Sequence, residues 1–276
     1  MKQDHSLAGA SLIKVKNRTE LCSYISSTRW QETTNSMARQ VSETYEQLCH
    51  NVSDAICAVL RDTAAQQRNC SIGVSGGSMP QMISDICTHP ELPWNLAHFF
   101  YCDERMVPVT HSENTHRVYA ELIYPKLPIP QENIHIVNTD LPAKEAAKDY
   151  HEQLMEFFGA SRGYPTFDLL LLGIGPDGHT CSLFPGHPLL HCEDRSVAAI
   201  EDSPKPPPQR VTLTLPVLNK AKRVFFIVSG ENKANAVADV FNSNESPSLL
   251  PCALVQPIDG DLVWYLDKPA ASKITV

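Results

Sequence analysis

The sequence predicts an α/β fold: a single domain built on a mostly parallel, twisted sheet with helices on both faces. Three observations carry this. Apolar runs of strand length alternate with amphipathic stretches almost from end to end, the pattern of a parallel sheet crossed by helices. One run, FDLLLLGIG at 167–175, is apolar without alternation, as in a strand covered on both faces. No stretch is convincing as a linker between two domains, the proline-rich PKPPPQR at 204–210 reading as a surface loop.

Taken in order, residues 34–66 read as one long amphipathic helix, with Met37, Val41, Tyr45, Leu48, Val52, Ile56 and Val59 at spacings of three and four. CSIGVSGG (70–77) is a strand ending in glycines, and MPQMISDICTH (79–89) a helix. AHFFYCDE (97–104) is a second strand, followed by the loop RMVPVTHSENTHR; ENIHIVN (132–138) is a shorter strand. LPAKEAAKDYHEQLMEFFG (141–159) is a helix, with Asp140 as its N-cap and Pro142 in its first turn. FDLLLLGIG follows, then the proline loop leading into VTLTLPVL (211–218), the strand RVFFIVSG (223–230), the helix ENKANAVADVF (231–241) and the closing strand DLVWYL (261–266).

The 276 residues, 42% hydrophobic, can bury a sizeable core. The net charge of −8 and the scatter of the 23 Lys and Arg leave no basic stripe for nucleic acid. An anionic ligand must therefore be met by local cations. The nine cysteines are spread and form no C-x-x-C pair, which suits reduced thiols in the cytoplasm. MKQDHSLAGASLIKV lacks the apolar core of a signal peptide, no apolar run reaches the ~18 residues of a membrane helix, and the C-terminal SKITV is not a peroxisomal address. The expectation is a cytoplasmic protein without nucleic-acid or membrane partners.

In open α/β sheets ligands bind beyond the carboxyl ends of the strands, so the chemistry is sought there. SGGSMP (75–80) follows the first strand: Gly76 and Gly77 allow a tight turn, and N–H groups with the Ser78 hydroxyl could cradle an anion, or form an ordinary glycine turn. The same residues satisfy G-x-S-x-G, which would make Ser75 a nucleophile. Asp103, Glu104 and Arg105 end the next strand, either as a solvated charge cluster or with Arg105 as an anion ligand. In GIGPDGHT, the glycines Gly175 and Gly178 flank Asp177 and His179, and Thr180 follows. An Asp beside a His can fix its tautomer, and the imidazole titrates in the range a general base needs; the bland reading is a helix cap. His179, Cys181, His187, His191 and Cys192 crowd one region, but their spacing matches no structural zinc pattern. Arg210 ends the proline loop, and Lys233 opens a helix, where a cation is unfavourable unless an anion binds.

Together SGGSMP, DERMVP, GIGPDGHTCSLFPG and RVTLTLPVLNKAKRVFFIVSGENKA resemble the 6-phosphogluconolactonase family, from about residue 35 to the end. The resemblance implies a Rossmann-like α/β fold similar to that of glucosamine-6-phosphate deaminase. It implies hydrolysis of 6-phosphoglucono-δ-lactone to 6-phosphogluconate, the second step of the oxidative pentose phosphate pathway, with no metal or organic cofactor. His179 is similar to the catalytic His, with Asp177 orienting it; Gly76, Gly77, Ser78, Arg105, Arg210 and Lys233 match positions around the sugar phosphate, and Asp103, Gly175 and Thr180 complete the expected substrate-binding set. The deaminases carry D-E-Y where this chain has Asp103, Glu104 and Arg105, and a Glu five residues after the motif His, where this chain has Phe184. A deaminase-like isomerase and a non-catalytic sugar-phosphate sensor are the alternatives. Residues 1–276 are expected to form one lactonase domain, with 1–30 peripheral, acting as a monomer or weak homo-oligomer.

Overall fold

A computed structural model describes residues 38–159, 163–242 and 248–275, all within one compact unit, Ser36–Val276. The expected peripheral segment 1–30 lies outside the described residues. Ten strands are described: β1 Ala38–Ser42, β2 Cys70–Val74, β3 Ala97–Tyr101, β4 Asp103–Arg105, β5 Ile134–His135, β6 Leu169–Leu172, β7 Val197–Ile200, β8 Arg210–Leu213, β9 Arg223–Val228 and β10 Asp261–Asp267. The longer helices are α1 Tyr45–Ala65, α2 Thr115–Leu122, α3 Ala143–Phe158 and α4 Ala234–Asn242.

Seven strands form one sheet in the order β1-β10-β9-β6-β2-β3-β5, with every pairing parallel. From β2 the chain moves outward through β3 to β5; from β6 it moves the other way, through β9 to β10. The strand order reverses between β2 and β6, so the ligand crevice of the sheet lies where the chain leaves these two strands.

The uninterrupted apolar run of β6 has the cause expected of it. Side chains alternate across a strand. Leu169 and Leu171 join a core that includes Leu48, Val52 and Ile56 of α1, whereas Leu170 and Leu172 join one that includes Ala147, Tyr150 and Leu154 of α3. Both faces are covered, and all four leucines are buried.

Asp168 ties the opposite ends of the central strands together. Its carboxylate accepts from Arg68 Nη1 at 2.6 Å, Lys222 Nζ at 2.9 Å, and Ser71 N and Oγ at 3.0 Å. Burial pushes this carboxyl up, but the bonds from Lys222, the Ser71 N–H and Arg68 more than reverse the effect and leave it low. The stabilisation is therefore complete above the ordinary carboxylate range and is lost as pH falls through the lowered value. Asp168→Ala strands two cations and two β2 donors, and is expected to cost about 3 kcal/mol. The check is the denaturant midpoint at unchanged m; a change under about 0.5 kcal/mol would show that these bonds add nothing net.

Several expected elements are corrected. The first helix begins at Tyr45, not near 34: Thr44 caps it by accepting from Gln47 N, and Gln47 Oε1 accepts from Glu43 N. Upstream, Ala38–Ser42 pair with β10 as an edge strand, leaving Val41 45% exposed instead of on a helix face. Met37 lies outside the described residues. The helix expected over 79–89 is one α-turn, Met79–Met82, followed by a 3₁₀ turn, Ser84–Thr88. Asp140 does not cap α3; Pro142 holds the N-cap position without a side-chain bond, while the Asp140 N–H donates to Asn138 Oδ1. AHFFYCDE is two strands, because after Cys102 the chain leaves the parallel sheet. β4 enters a separate antiparallel sheet, β4-β8-β7, and VTLTLPVL contributes β8 to it before a short helical turn, Leu215–Leu218. Among the described residues no helix is long and apolar enough to cross a membrane.

Candidate active site

The turn that leaves β6 is built to present one imidazole. Thr180 Oγ1 donates to Gly173 O at 2.9 Å, Gly175 N to His179 O at 2.8 Å, and Gly178 N to Gly175 O at 2.9 Å. Gly178 has φ +78°, a conformation that a side chain resists, and a Cβ there would meet Leu250.

His179 Nδ1 lies 2.6 Å from Asp177 Oδ1. Lys205 Nζ lies 2.8 Å from the same oxygen and 3.1 Å from Nδ1. Two lone pairs would not approach to 2.6 Å, so Nδ1 carries the proton and donates it to Asp177. The free lone pair is then on Nε2. Burial holds the His179 pKa below its usual value of 6.5; Asp177 opposes that shift and Lys205 adds to it. Burial pushes the Asp177 carboxyl up, but hydrogen bonds from Lys205 and His179 carry it down to about 2. The resting pair is thus a neutral imidazole against a carboxylate. Phe184 packs its ring 4.8 Å from the imidazole.

Gly175 is required by close approach. A Cβ there would lie 2.0 Å from His179 Cε1 and Nδ1 and 2.5 Å from Asp177 Oδ1. Gly175→Ala is therefore expected to displace the pair and lower kcat by about 10²-fold, the effect of an ångström-scale misplacement, with a much smaller change in Tm. Activity within threefold of the parent would mean that the ring relocates without cost.

The strands beside β6 pair in parallel and so leave the sheet at the same edge as this turn. After β2, Gly77 has φ +67°, and Gly76 sits where a Cβ would meet Thr115 Oγ1 at 2.7 Å. The N–H groups of Gly76 and Gly77 have no hydrogen-bond partner among the described residues. Ser78 precedes the single α-turn and makes no cap bond, so the cradle here is loop backbone. Ser75 Oγ is buried without a partner, and the base that a G-x-S-x-G nucleophile needs is not bonded to it.

The charge cluster after β3 is not solvated. Asp103 is buried and accepts from Ser182 Oγ at 2.8 Å, which fastens β4 to the segment beyond His179. Glu104, 1% exposed, accepts from the N–H groups of Arg105, Thr115 and His116, so it caps α2 from a distance; burial pushes its carboxyl up to about 7 against those bonds. Arg105 bonds Glu113 through Nη1 and keeps Nε buried without a partner.

Arg210 pairs across from Arg105 in the small sheet. It is 3% exposed, and its guanidinium is spent on protein partners: Nε donates to Pro207 O, Nη2 to Lys205 O and Pro206 O of the proline loop, and Nη1 to Ser182 Oγ at 3.4 Å. It also lies over the Phe184 ring at 5.6 Å. Lys233 sits in a 3₁₀ turn, Glu231–Lys233, before α4. Its pKa is lowered by burial first and by Lys205 second, with Asp177 opposing, and its ammonium has no partner among the described residues. Lys205 is not legible in the sequence: a lysine in a proline-rich loop gives no local signal of contact with a turn 28 positions upstream. His187, with Asp202 at 3.1 Å, lines with His191 and Cys192 a different pocket, which His179 and Cys181 do not line. Among the described residues no group of three His, Cys, Asp or Glu could hold a metal ion.

The family of glucosamine-6-phosphate isomerases and 6-phosphogluconolactonase matches residues 43–264, four-fifths of the chain, including every turn just described. The chain belongs to this family. Within it, the chain is 45% identical over 238 residues to the 6-phosphogluconolactonase of Homo sapiens, covering 81% of this chain and 92% of that protein. It is 47% identical over 211 residues to that of Rattus norvegicus, covering 75% and 81%. A solved 6-phosphogluconolactonase from Thermotoga maritima superposes with a TM-score of 0.73 at 28% identity, over 84% of this chain and 99% of that one. A monomeric glucosamine-6-phosphate deaminase shares the fold, with a TM-score of 0.70 at 19% identity. The family frame is thus common to both enzymes, and the residues at the strand ends decide between them.

Proposed function

We infer that the chain hydrolyses 6-phosphoglucono-δ-lactone to 6-phosphogluconate by a His-activated water. The observation that carries the mechanism is the 2.6 Å contact of His179 Nδ1 with Asp177, which leaves Nε2 as the proton acceptor. A lactone is already an activated acyl group, so water suffices as the nucleophile. Nε2 takes a proton from water as its oxygen bonds to C1. Asp177 stabilises the imidazolium that forms. The unpartnered N–H groups of Gly76 and Gly77 are suited to receive the tetrahedral oxyanion. The imidazolium then returns its proton to the ring oxygen as the C1–O bond breaks, and the product keeps its phosphate.

Lys233 and Arg105 have open donors for the phosphate, whereas Arg210 acts from behind by holding the proline loop. Phe184, packed on the imidazole, stands where a deaminase carries its Glu, so that carboxylate has no counterpart at that place. The eight cysteines among the described residues are free thiols, which suits a reducing cytosol; action as a monomer or weak homo-oligomer is part of the same reading. The test is an assay with the phosphorylated δ-lactone, coupled to oxidation of 6-phosphogluconate and corrected for spontaneous hydrolysis. Turnover no faster than the uncatalysed rate would remove the lactonase reading.

A further inference from the structure

The proline loop brings a cation, the Lys205 ammonium, against the acid–base pair. Asp177 Oδ1 accepts two bonds, one from His179 Nδ1 at 2.6 Å and one from Lys205 Nζ at 2.8 Å. The same ammonium is 3.1 Å from Nδ1, a nitrogen that already carries a proton and cannot accept from it. The third contact is therefore charge against ring, without a hydrogen bond. Lys205 is also held in place: Arg210, buried in β8, donates to the carbonyls of Lys205, Pro206 and Pro207, and Ser203 Oγ bonds both the N–H and the carbonyl of Lys205. A surface lysine kept for solubility has no need of such a mount.

An Asp–His pair alone has a drawback for a base. The carboxylate that orients the imidazole also favours its protonated form, and a protonated His179 cannot take a proton from water. A fixed cation beside the carboxylate offsets that charge while leaving the orientation intact. We propose that Lys205 is a positioning residue: it neutralises Asp177 so that Asp177 orients His179 without converting it into a resting imidazolium. The inference rests on the lactonase reading for its kinetic consequence, but its physical content is the charge state of one ring. The other charged groups that face the pair are Asp103 from β4, Lys233 from the turn before α4, and Arg210 behind the Phe184 ring; all three are retained when Lys205 alone is changed.

The experiment is a pH titration of the His179 ring by NMR in protein carrying ¹³C-labelled histidine, with the signal assigned by its loss in His179→Asn. Lys205→Met is compared with Lys205→Arg and the parent, and kcat/KM is measured on the same proteins from pH 5.5 to 8. In Lys205→Met the ring is expected to stay protonated to higher pH. At pH 5.5 kcat/KM is then expected to fall by about threefold or more, toward the tenfold limit that a one-unit shift reaches below both pKa values, and to change by less than threefold at pH 8. Lys205→Arg is expected to track the parent. A His179 titration in folded Lys205→Met that coincides with the parent's overturns the inference, whatever the activity. A loss of equal size at every pH, with the titration unmoved, overturns it too and makes Lys205 a direct substrate ligand. A displaced titration without any change in the kinetic profile keeps the inference and removes His179 as the base, so the two readings fail separately.

Discussion

His179→Asn is expected to lower kcat by about 10²- to 10⁴-fold, the usual worth of a general base, with little change in KM. Asn is the informative replacement. Its amide can donate to Asp177 Oδ1 as Nδ1–H does, so the turn set by the Gly175 and Thr180 bonds keeps its closing contact. What disappears is the Nε2 lone pair. The acid limb of the kcat/KM profile, expected below pH ~6.5 because burial depresses the imidazole, should vanish from the residual activity. Asp177→Asn is expected to lose less, and to move the acid limb downward, because the group that favours the protonated ring loses its charge. Activity of His179→Asn within a factor of three of the parent would remove the imidazole from the mechanism.

The second large effect concerns the phosphate. With a net charge of −8 the chain does not attract an anion globally, so local donors must supply the binding. Lys233→Ala and Arg105→Ala are each expected to lower kcat/KM for the phosphorylated lactone by at least ~30-fold, since truncating one partner of a desolvated charge pair costs about 2 kcal/mol or more. The slow hydrolysis of the unphosphorylated lactone should hardly change, because that substrate never made those bonds. Arg210→Ala separates recognition from support. Its guanidinium holds the loop that carries Lys205, so this variant is expected to lose activity on both lactones and to melt earlier. Equal losses on both substrates in folded Lys233→Ala and Arg105→Ala would mean that these cations do not read the phosphate.

What the sequence disclosed and what it hid follow from the range of the interactions. The leucines of β6 and the helical face of α1 from Leu48 onward are local patterns, and they were legible. The Asp177–His179 contact joins residues two apart, so spacing alone suggested it. The pattern carries the first helix too far because Met37, Val41 and Tyr45 continue a spacing of four, whereas β1 is defined by its partner β10, more than two hundred residues away. Asp103 and Glu104 look like solvent-facing charges in the sequence; their burial depends on Ser182 and on the first turn of α2, which no local pattern encodes. Lys205 was hidden for the same reason, because its place is fixed by Arg210 and its partner by the fold.

The site draws on two sheets, and this bears on inheritance. Asp177 and His179 hang from β6 in the parallel sheet, while Arg105 and Arg210 belong to the three short antiparallel strands, with the Asp103–Ser182 bond between them. Drift at Arg105 in β4 can exchange what is gripped, and the turn after β6 keeps its place in the parallel frame meanwhile. A duplicated copy of such a chain can change its diet before it changes its chemistry. A family whose description joins 6-phosphogluconolactonase with glucosamine-6-phosphate isomerases is the outcome such an architecture permits.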